Sequence, residues 1–224
     1  MARQFKSASL ADQVFEQLEN DIIQGICPRG TVLTELKLVE RLGVSRTPIR
    51  EALRRLEQER LIADTGKGSV ILGISVEDVE DIMTIRERVE GIAAHHAARR
   101  VTPEDKQELK ELMDLQEFYF AREDSEQLRR IDDRFHDAIC RMSGRAVIMD
   151  TLIPLNRKTK RYRRMAMDDW YRVPRTKQEH VDVYQAIVDG DPERAKSLTE
   201  EHIRNARLHI TEFILNKERT AVTE

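Results

Sequence analysis

The chain has 224 residues, of which 35% are charged and 40% hydrophobic, and no apolar run approaches the roughly 18 residues that a membrane span needs. This composition excludes a membrane protein, and the two cysteines, Cys27 and Cys140, are too few for a disulfide framework or a cysteine-based zinc site. Lys and Arg total 38 against 41 Asp and Glu, so the net charge of -3 confines any nucleic-acid surface to a local patch. The N-terminus lacks the apolar stretch of a secretory signal, and we expect a cytoplasmic protein.

Three short helices are predicted near the N-terminus. Apolar residues at every fourth position predict a helix over residues 10–22. A second helix is predicted over residues 34–42, and Gly43 follows where a left-handed helix terminus is favoured. The third helix begins after Ser45, a candidate N-cap, and carries Pro48 in its first turn.

The rest of the chain divides into a short β segment and a long helical segment. The β-compatible runs 61–64 and 69–72 flank the sequence TGKG and predict a small hairpin with a glycine-permitted turn. Beyond it, helices are predicted near 76–100, 103–121, 124–142, 146–167, 175–189 and 192–216. The predicted helices make the fold class mainly α. We expect a first domain over residues 1–73 and a second, all-α domain over residues 77–218. Short connections between the six helices of the second domain favour their packing as an antiparallel bundle.

The second and third predicted helices have the spacing of a helix-turn-helix. Only Gly43, Val44 and Ser45 separate them, and this geometry lets the second helix enter a major groove. Between positions 41 and 55 lie five arginines and one acid, a local charge of +4. That charge alone also fits a solvated basic helix face. The turn spacing, the cap and the glycine hairpin together favour a winged helix-turn-helix that binds double-stranded DNA.

Individual roles follow from position in this motif. Arg46 and Arg50 are four residues apart near the helix N-terminus, where guanidinium groups can reach guanine O6 and N7. Ser45 and Thr47 can offer hydroxyl and amide groups to a phosphate, and Lys67 can approach the DNA backbone or minor groove. The predicted DNA-binding residues are Ser45, Arg46, Thr47, Arg50, Arg54, Lys67 and Gly68.

The predicted bundle carries one carboxylate and three imidazoles on inward-facing stripes. Asp132 and His136 are about 40° apart around one helix and about 6 Å along it, so they can converge on one point. In a helical hairpin at about 1.5 Å per residue, His180 and His202 stand at nearly one level. Any one of these histidines alone is more typical of a hydrogen-bonded core or surface residue. Four aligned groups in a core are costly unless they bind an ion, so the pattern predicts a metal site.

Two parts of the sequence resemble a known family. The segment over residues 11–62, with its core SRTPIREALRRL, resembles the winged-helix domain of GntR-type bacterial transcription regulators. DDRFHDAI and QEHVDVYQAIVDGDPERAKSLTEEHI are similar to the ligand-binding C-terminal domain of the FadR-like subgroup, in its VanR-type form. The chain reads TELKL where the family usually has S-E-R-E-L, which puts Leu36 at an arginine position beside Lys37.

The resemblance implies a divalent transition metal, namely zinc, nickel, manganese or iron, on Asp132, His136, His180 and His202. Oxygen and nitrogen ligands without a thiolate permit each of these ions. Four ligands leave open positions on a six-coordinate ion, where we expect a small organic acid effector. The predicted effector-binding residues are Arg86, in the segment IRERVE, and Arg161, in the basic run NRKTKRYRR over residues 156–164. A solvated face and a further DNA-facing surface are the alternatives for that run.

These observations predict a homodimeric transcriptional regulator and not an enzyme. Repression relieved by the effector is the expected direction, and two-fold symmetry implies a pseudo-palindromic operator. A metal-responsive regulator, in which the ion itself is the signal, is the nearest alternative. A metal-dependent enzyme is less favoured because the sequence offers no evident general base or nucleophile beside the ligands.

Overall fold

The computed structural model describes residues 9–167 and 169–221, and the side chains of all of these except residues 161, 164–167 and 215–221. The chain divides into two compact units, Met1–Ser75 and Val76–Glu224. Within the described ranges it forms nine helices and three short strands, so the predicted mainly α fold is confirmed. No helix in those ranges is long and apolar enough to cross a membrane.

The first unit is a winged helix-turn-helix. Its elements in chain order are α1 (Leu10–Ile23), β1 (Val32–Leu33), α2 (Glu35–Leu42), α3 (Arg46–Gln58), β2 (Ile62–Asp64) and β3 (Ser69–Ile71). Helix α1 starts with a capping box between Ser9 and Asp12, and α2 ends at Gly43, whose φ of 68° is left-handed as predicted. Buried apolar side chains from the three helices and the sheet form one core.

The wing has three strands instead of the predicted hairpin of two. The sheet order is β1-β3-β2 with antiparallel pairing, and Val32 pairs with Val70 in the added strand β1. A strand of two residues has no measurable periodicity, so only its pairing with β3 reveals it. Gly68 has a φ of 145°, and a Cβ there would lie 2.8 Å from the Leu33 carbonyl oxygen. The wing can therefore pass close to β1 only with glycine at this position.

The second unit is a six-helix bundle, as predicted. It consists of α4 (Val76–Arg100), α5 (Pro103–Phe120), α6 (Ser125–Met142), α7 (Ala146–Met167), α8 (Val173–Val188) and α9 (Pro192–Ala221). Thr102 and Asp105 form the capping box that starts α5, with Pro103 in its first turn. Helix α8 begins two residues earlier than predicted, because Val173 and Pro174 occupy its first turn.

The turn between α8 and α9 aligns these two helices as a hairpin. Gly190 adopts a φ of 70°, and the backbone N–H groups of Gly190 and Asp191 donate to the carbonyls of Ile187 and Ala186. The helices thus run side by side from this turn, with His180 and His202 both facing inward and buried. Asp132 and His136 face the same interior from α6.

Candidate functional site

Four side chains from three helices converge in the interior of the bundle. Nε2 of His202 lies 3.3 Å from Nε2 of His180 and 3.4 Å from Nε2 of His136. Oδ1 of Asp132 lies 3.6 Å from Nε2 of His180 and 3.8 Å from Nε2 of His136. All four residues are at most 6% exposed. Donor atoms bound at about 2.0–2.2 Å to one ion are separated by distances of this size.

Two of the imidazoles are held from behind by carboxylates. Nδ1 of His136 lies 2.8 Å from Oε2 of Glu90, and Nδ1 of His202 lies 2.8 Å from Oε2 of Glu179. A carboxylate accepts the Nδ1–H, so the Nε2 lone pair is the one that faces the centre. This is the tautomer that a metal ligand needs, and the arrangement is typical of histidine at metal sites.

The third imidazole is held by an amide. The side-chain amide of Gln116 lies 2.8 Å from Nδ1 of His180, and Oε1 of Gln116 is buried with no hydrogen-bond partner among the described atoms. Turning this amide over places Oε1 on the Nδ1–H of His180, which satisfies the orphaned oxygen. Nε2 of His180 then also presents a lone pair to the centre.

The electrostatics favour the neutral forms of His180 and His202 and the ionised form of Asp132. Burial, with His202 next to it, holds the pKa of His180 well below its usual value, and burial also lowers the pKa of His202. Burial opposes ionisation of Asp132, but the Arg163 guanidinium and the nearby imidazoles outweigh it and hold its pKa well below the ordinary range. A carboxylate together with three imidazole nitrogens is a donor set that fits a divalent transition-metal ion.

Arg163 is a site residue that sequence reasoning missed. Nη2 of Arg163, on α7, donates to Oδ2 of Asp132 and lies 3.3 Å from Oδ1 of Asp133. Arg163 is 8% exposed, and Thr159, one turn earlier, is completely buried. The basic run is therefore not simply a solvated face. The sequence pattern of the run contains no signal that distinguishes Arg163 from its basic neighbours. The side chain of the predicted Arg161 lies outside the described residues.

Arg86, predicted as an effector-binding residue, lies beside the cluster. It is completely buried on α4, where Nε donates to Oε1 of Glu90 over 2.7 Å and Nη1 donates to Oγ1 of Thr159 over 3.1 Å. Burial opposes ionisation of Glu90, but Arg86 and His136 hold its pKa well below the ordinary value. Arg86 and His136 line a small cavity of about 30 Å³, which has room for one or two water molecules.

The predicted DNA-binding residues lie on one groove of the first unit or beside it. Arg50, Arg54, Lys67 and Gly68 line a groove of about 410 Å³ between α3 and the wing. Ser45, Arg46 and Thr47 are exposed at the start of α3, and the Ser45 hydroxyl makes no capping hydrogen bond there. That hydroxyl is thus available to another acceptor or donor, such as a phosphate.

An ion pair within this groove was not predicted. Nε of Arg50 donates to Oε1 of Glu35 over 2.7 Å, and the Arg50 side chain remains 64% exposed.

Leu36 is 57% exposed, although the apolar spacing of α2 places it with the buried positions. Helix α2 buries Leu38 fully, and Val39 and Leu42 pack partly against the same core.

A helix-turn-helix with a wing and a helical domain with an inward Asp-His cluster define a two-domain DNA-binding regulator. Residues 10–71 match the family described as bacterial regulatory proteins, gntR family, and residues 81–205 match the FCD domain. The chain belongs to the GntR family of transcriptional regulators, with an N-terminal GntR helix-turn-helix domain and a C-terminal FCD domain.

Curated relatives carry regulator names. The chain is 26% identical over 193 residues to the HTH-type transcriptional repressor RspR of Escherichia coli (strain K12), covering 86% of this chain and 85% of that protein. It is 29% identical over 142 residues to the gluconate operon transcriptional repressor of Bacillus licheniformis, covering 63% of this chain and 58% of that protein.

Solved structures share the fold. E. coli McbR/YncC superposes with a TM-score of 0.74 at 22% identity, covering 93% of this chain and 100% of that one. A putative GntR transcriptional regulator from Rhodococcus sp. RHA1 gives a TM-score of 0.66 at 25% identity, covering 89% of this chain and 96% of that one.

Proposed function

We propose that this GntR-family regulator is a homodimeric repressor that senses a small organic acid at a metal-containing pocket. The single observation that carries the proposal is the convergence of the three Nε2 atoms and Oδ1 of Asp132 within 3.3–3.8 Å for the measured pairs. Together with the adjoining cavity, this supports a place for the chain in the FadR-like subgroup with a VanR-type C-terminal domain. We propose the cytoplasm, where bacterial DNA lies, as its place of action.

The bundle would hold the ion through Asp132, His136, His180 and His202. A zinc, nickel, manganese or iron ion bound there supplies a Lewis acid that attracts a carboxylate oxygen of the effector. Glu90 and Glu179 orient His136 and His202 through their Nδ1–H groups. Arg86 lines the adjoining cavity, where its guanidinium can stabilise an anionic group. The role proposed for Arg161 rests on its position in the basic run alone.

The state of the nearby carboxylates supports a sensor over an enzyme. Arginine and imidazole partners outweigh burial and lower the pKa of Glu179 to about 2, and such partners also hold the pKa values of Glu90 and Asp132 well below their ordinary range. An efficient general base has a pKa near the operating pH. These three carboxylates are therefore suited to orienting ligands and balancing charge, and poorly suited to proton transfer.

The first unit would read the operator. Arg46 and Arg50 would contact base edges in the major groove, Ser45 and Thr47 would bind phosphate, and Arg54 would add a phosphate contact. Lys67 and Gly68 would bring the wing against the DNA backbone or the minor groove. Two copies related by a two-fold axis require a pseudo-palindromic operator, and the effector acts if it binds one state of the dimer better, by about 1 to 3 kcal/mol.

A second candidate function is a regulator for which the ion itself is the signal. The small volume next to the cluster, about 30 Å³, favours it because little more than one small group fits there. In that case operator affinity would follow metal loading with no organic acid present.

One binding experiment tests both functions. An operator fragment is selected from random DNA, and its affinity for the full chain is measured by fluorescence anisotropy in the metal-free, metal-loaded and metal-plus-acid states. We expect organic acids to weaken operator binding by metal-loaded wild type and not by His180→Ala, while His95→Ala, outside the cluster, behaves as wild type. An effect of metal alone supports the second function, and equal responses of wild type and His180→Ala contradict both.

A further inference from the structure

The groove between α3 and the wing contains as many acidic as basic side chains. Three of each line it, namely Arg50, Arg54, Lys67, Glu35, Glu57 and Asp64. On a surface that binds DNA, each cation attracts the phosphate backbone and each carboxylate repels it. The acids of this groove should therefore weaken DNA binding, and their presence there calls for another role.

Two of the three acids hydrogen-bond to the backbone of the wing. Oδ1 of Asp64 accepts the N–H of Gly66 over 2.8 Å, and Oε1 of Glu57 accepts the N–H of Asp64 over 3.4 Å. Glu35 makes no such contact among the described residues. Its Oε1 accepts Nε of Arg50 instead, which joins the first residue of α2 to the second turn of α3.

The contact with Glu35 holds one edge of the Arg50 guanidinium and leaves its far end exposed. The hydrogen bond described for Arg50 uses Nε, and the side chain is 64% exposed. Nη1 and Nη2 at the far end are a pair of donors that can bind O6 and N7 of guanine. The hydrogen bond from Arg50 lowers the pKa of Glu35, and the charges of Arg50 and Arg46 lower it further, so the carboxylate is ionised at neutral pH.

An arginine held in this way differs from a free one in what it binds. A free guanidinium can turn to a phosphate, and a phosphate contact carries no sequence information. Ordering a long side chain on binding costs conformational entropy, and an arginine that is already held has less of it to lose. Holding Nε should therefore favour a bidentate contact with one guanine over contacts with the DNA backbone.

We propose that Glu35 is a positioning residue that makes Arg50 selective for guanine, while its negative charge lowers the affinity for DNA of any sequence. The inference rests on the proposed function, because it takes Arg50 to contact base edges in the major groove. Glu35 acts through Arg50 and contacts no base itself. The two effects have opposite signs, which a role confined to stabilising the start of α2 does not produce.

Base preference and overall affinity are measured separately. The full chain is mixed with a pool of random duplex DNA, and sequencing of the bound and unbound fractions gives the relative affinity for each base at each position. Fluorescence anisotropy with one duplex that lacks the selected sequence, at several salt concentrations, gives the non-specific affinity and its salt dependence.

Glu35→Gln and Arg50→Ala should share one effect and differ in the other. In Arg50→Ala we expect the preference for guanine at one base pair of each half-site to fall by about 5- to 100-fold. In Glu35→Gln the preference at the same base pair should fall by about 3- to 10-fold. Non-specific affinity should rise in Glu35→Gln, with a salt dependence steeper by up to about one phosphate contact, and it should fall in Arg50→Ala.

Glu57→Gln is the matched control. It removes one negative charge from the same groove and leaves the contact between Glu35 and Arg50 in place. A rise in non-specific affinity that comes from charge alone should appear here too, whereas the preference for guanine should stay at the wild-type value. The double variant Glu35→Gln, Arg50→Ala should have the base preference of Arg50→Ala alone, because Glu35 acts through Arg50. Thermal unfolding is measured for every variant.

The outcomes separate this inference from the proposed function. Unchanged guanine preference in Arg50→Ala contradicts the base contact in the proposed function, and the inference with it. Loss of the preference in Arg50→Ala but not in Glu35→Gln overturns the inference and leaves the base contact standing, whatever Glu35→Gln does to stability. An equal loss in Glu57→Gln also overturns it, because the charge of the groove would then set the preference.

Discussion

Oε2 of Glu90 accepts the Nδ1–H of His136 over 2.8 Å, so a carboxylate of α4 orients an imidazole of α6. Its other oxygen accepts from Nε of Arg86 over 2.7 Å. Glu90 thus joins a residue proposed to bind the metal to a residue proposed to bind the effector, and changes at Glu90 should affect both.

Replacing Glu90 should weaken metal binding without removing a ligand. In Glu90→Gln the neutral amide no longer supports the charge and orientation of His136, and we expect metal affinity to fall by about 10- to 100-fold. Competition with a chromogenic chelator measures it. Glu108→Gln makes the same change at a partly exposed carboxylate that pairs with Arg141, and it should leave metal affinity unchanged. Equal affinities in wild type and Glu90→Gln would refute the orienting role.

Removing Arg163 should destabilise the metal-free protein strongly. Arg163→Ala leaves the buried Asp132 carboxylate without its guanidinium partner, and breaking such a pair costs about 3–5 kcal/mol. Urea unfolding with a chelator present measures the free energy of unfolding. Arg141→Ala removes a half-exposed arginine that pairs with Glu108, and it should cost about 1 kcal/mol or less. A loss at Arg163 no larger than the loss at Arg141 would contradict a buried ion pair.

The wing should tolerate alanine differently at its two glycines. In Gly68→Ala the new Cβ would meet the Leu33 carbonyl oxygen at 2.8 Å, whereas at Gly66, with a φ of 75°, no described atom lies within 4 Å of it. We expect Gly66→Ala to lower the free energy of unfolding by about 1–2 kcal/mol, because alanine is strained in a left-handed backbone conformation. Gly68→Ala should lower it further, because the clash with Leu33 adds to the backbone strain. Thermal unfolding of the full chain compares them. A smaller loss at Gly68 would show that the approach of the wing to β1 is looser than described.

Arg50 should matter for DNA and little for stability. The side chain is 64% exposed and its ion pair with Glu35 lies at the surface, so Arg50→Ala should change the free energy of unfolding by less than about 1 kcal/mol. Operator binding should weaken by about 1–3 kcal/mol, with relaxed preference at one base pair of each half-site. Arg130→Ala, an exposed arginine of α6, is the matched control. Weakening that is uniform across all sequences would assign Arg50 to phosphate binding.

Much of the fold could be predicted because it depends on local pattern. Helix periodicity and Gly43 at a left-handed C-terminus indicate the helix-turn-helix without any knowledge of distant residues. The spacing of Asp132 and His136 is also local. The similar distances of His180 and His202 from the turn of the helical hairpin follow from counting residues along each helix. These two facts were enough to expect the four side chains at one place.

The remaining features depend on which helices become neighbours. Glu90 and Glu179 belong to sequence segments with many acids, and only packing reveals that they face imidazoles. Arg163 lies in a run of basic residues whose pattern does not distinguish it from the others, yet it is the one described side chain there that pairs with Asp132. Strand β1 likewise exists through its pairing with β3.

The left-handed turn at Gly190 also limits how this protein can vary. One residue added between α8 and α9 would turn one helix by about 100° relative to the other and displace it by about 1.5 Å, which carries His202 away from His180. Substitutions in that turn leave the count of residues unchanged, but insertions and deletions do not. Descendants of this chain that keep His180 and His202 in contact should therefore differ here in composition and agree in length.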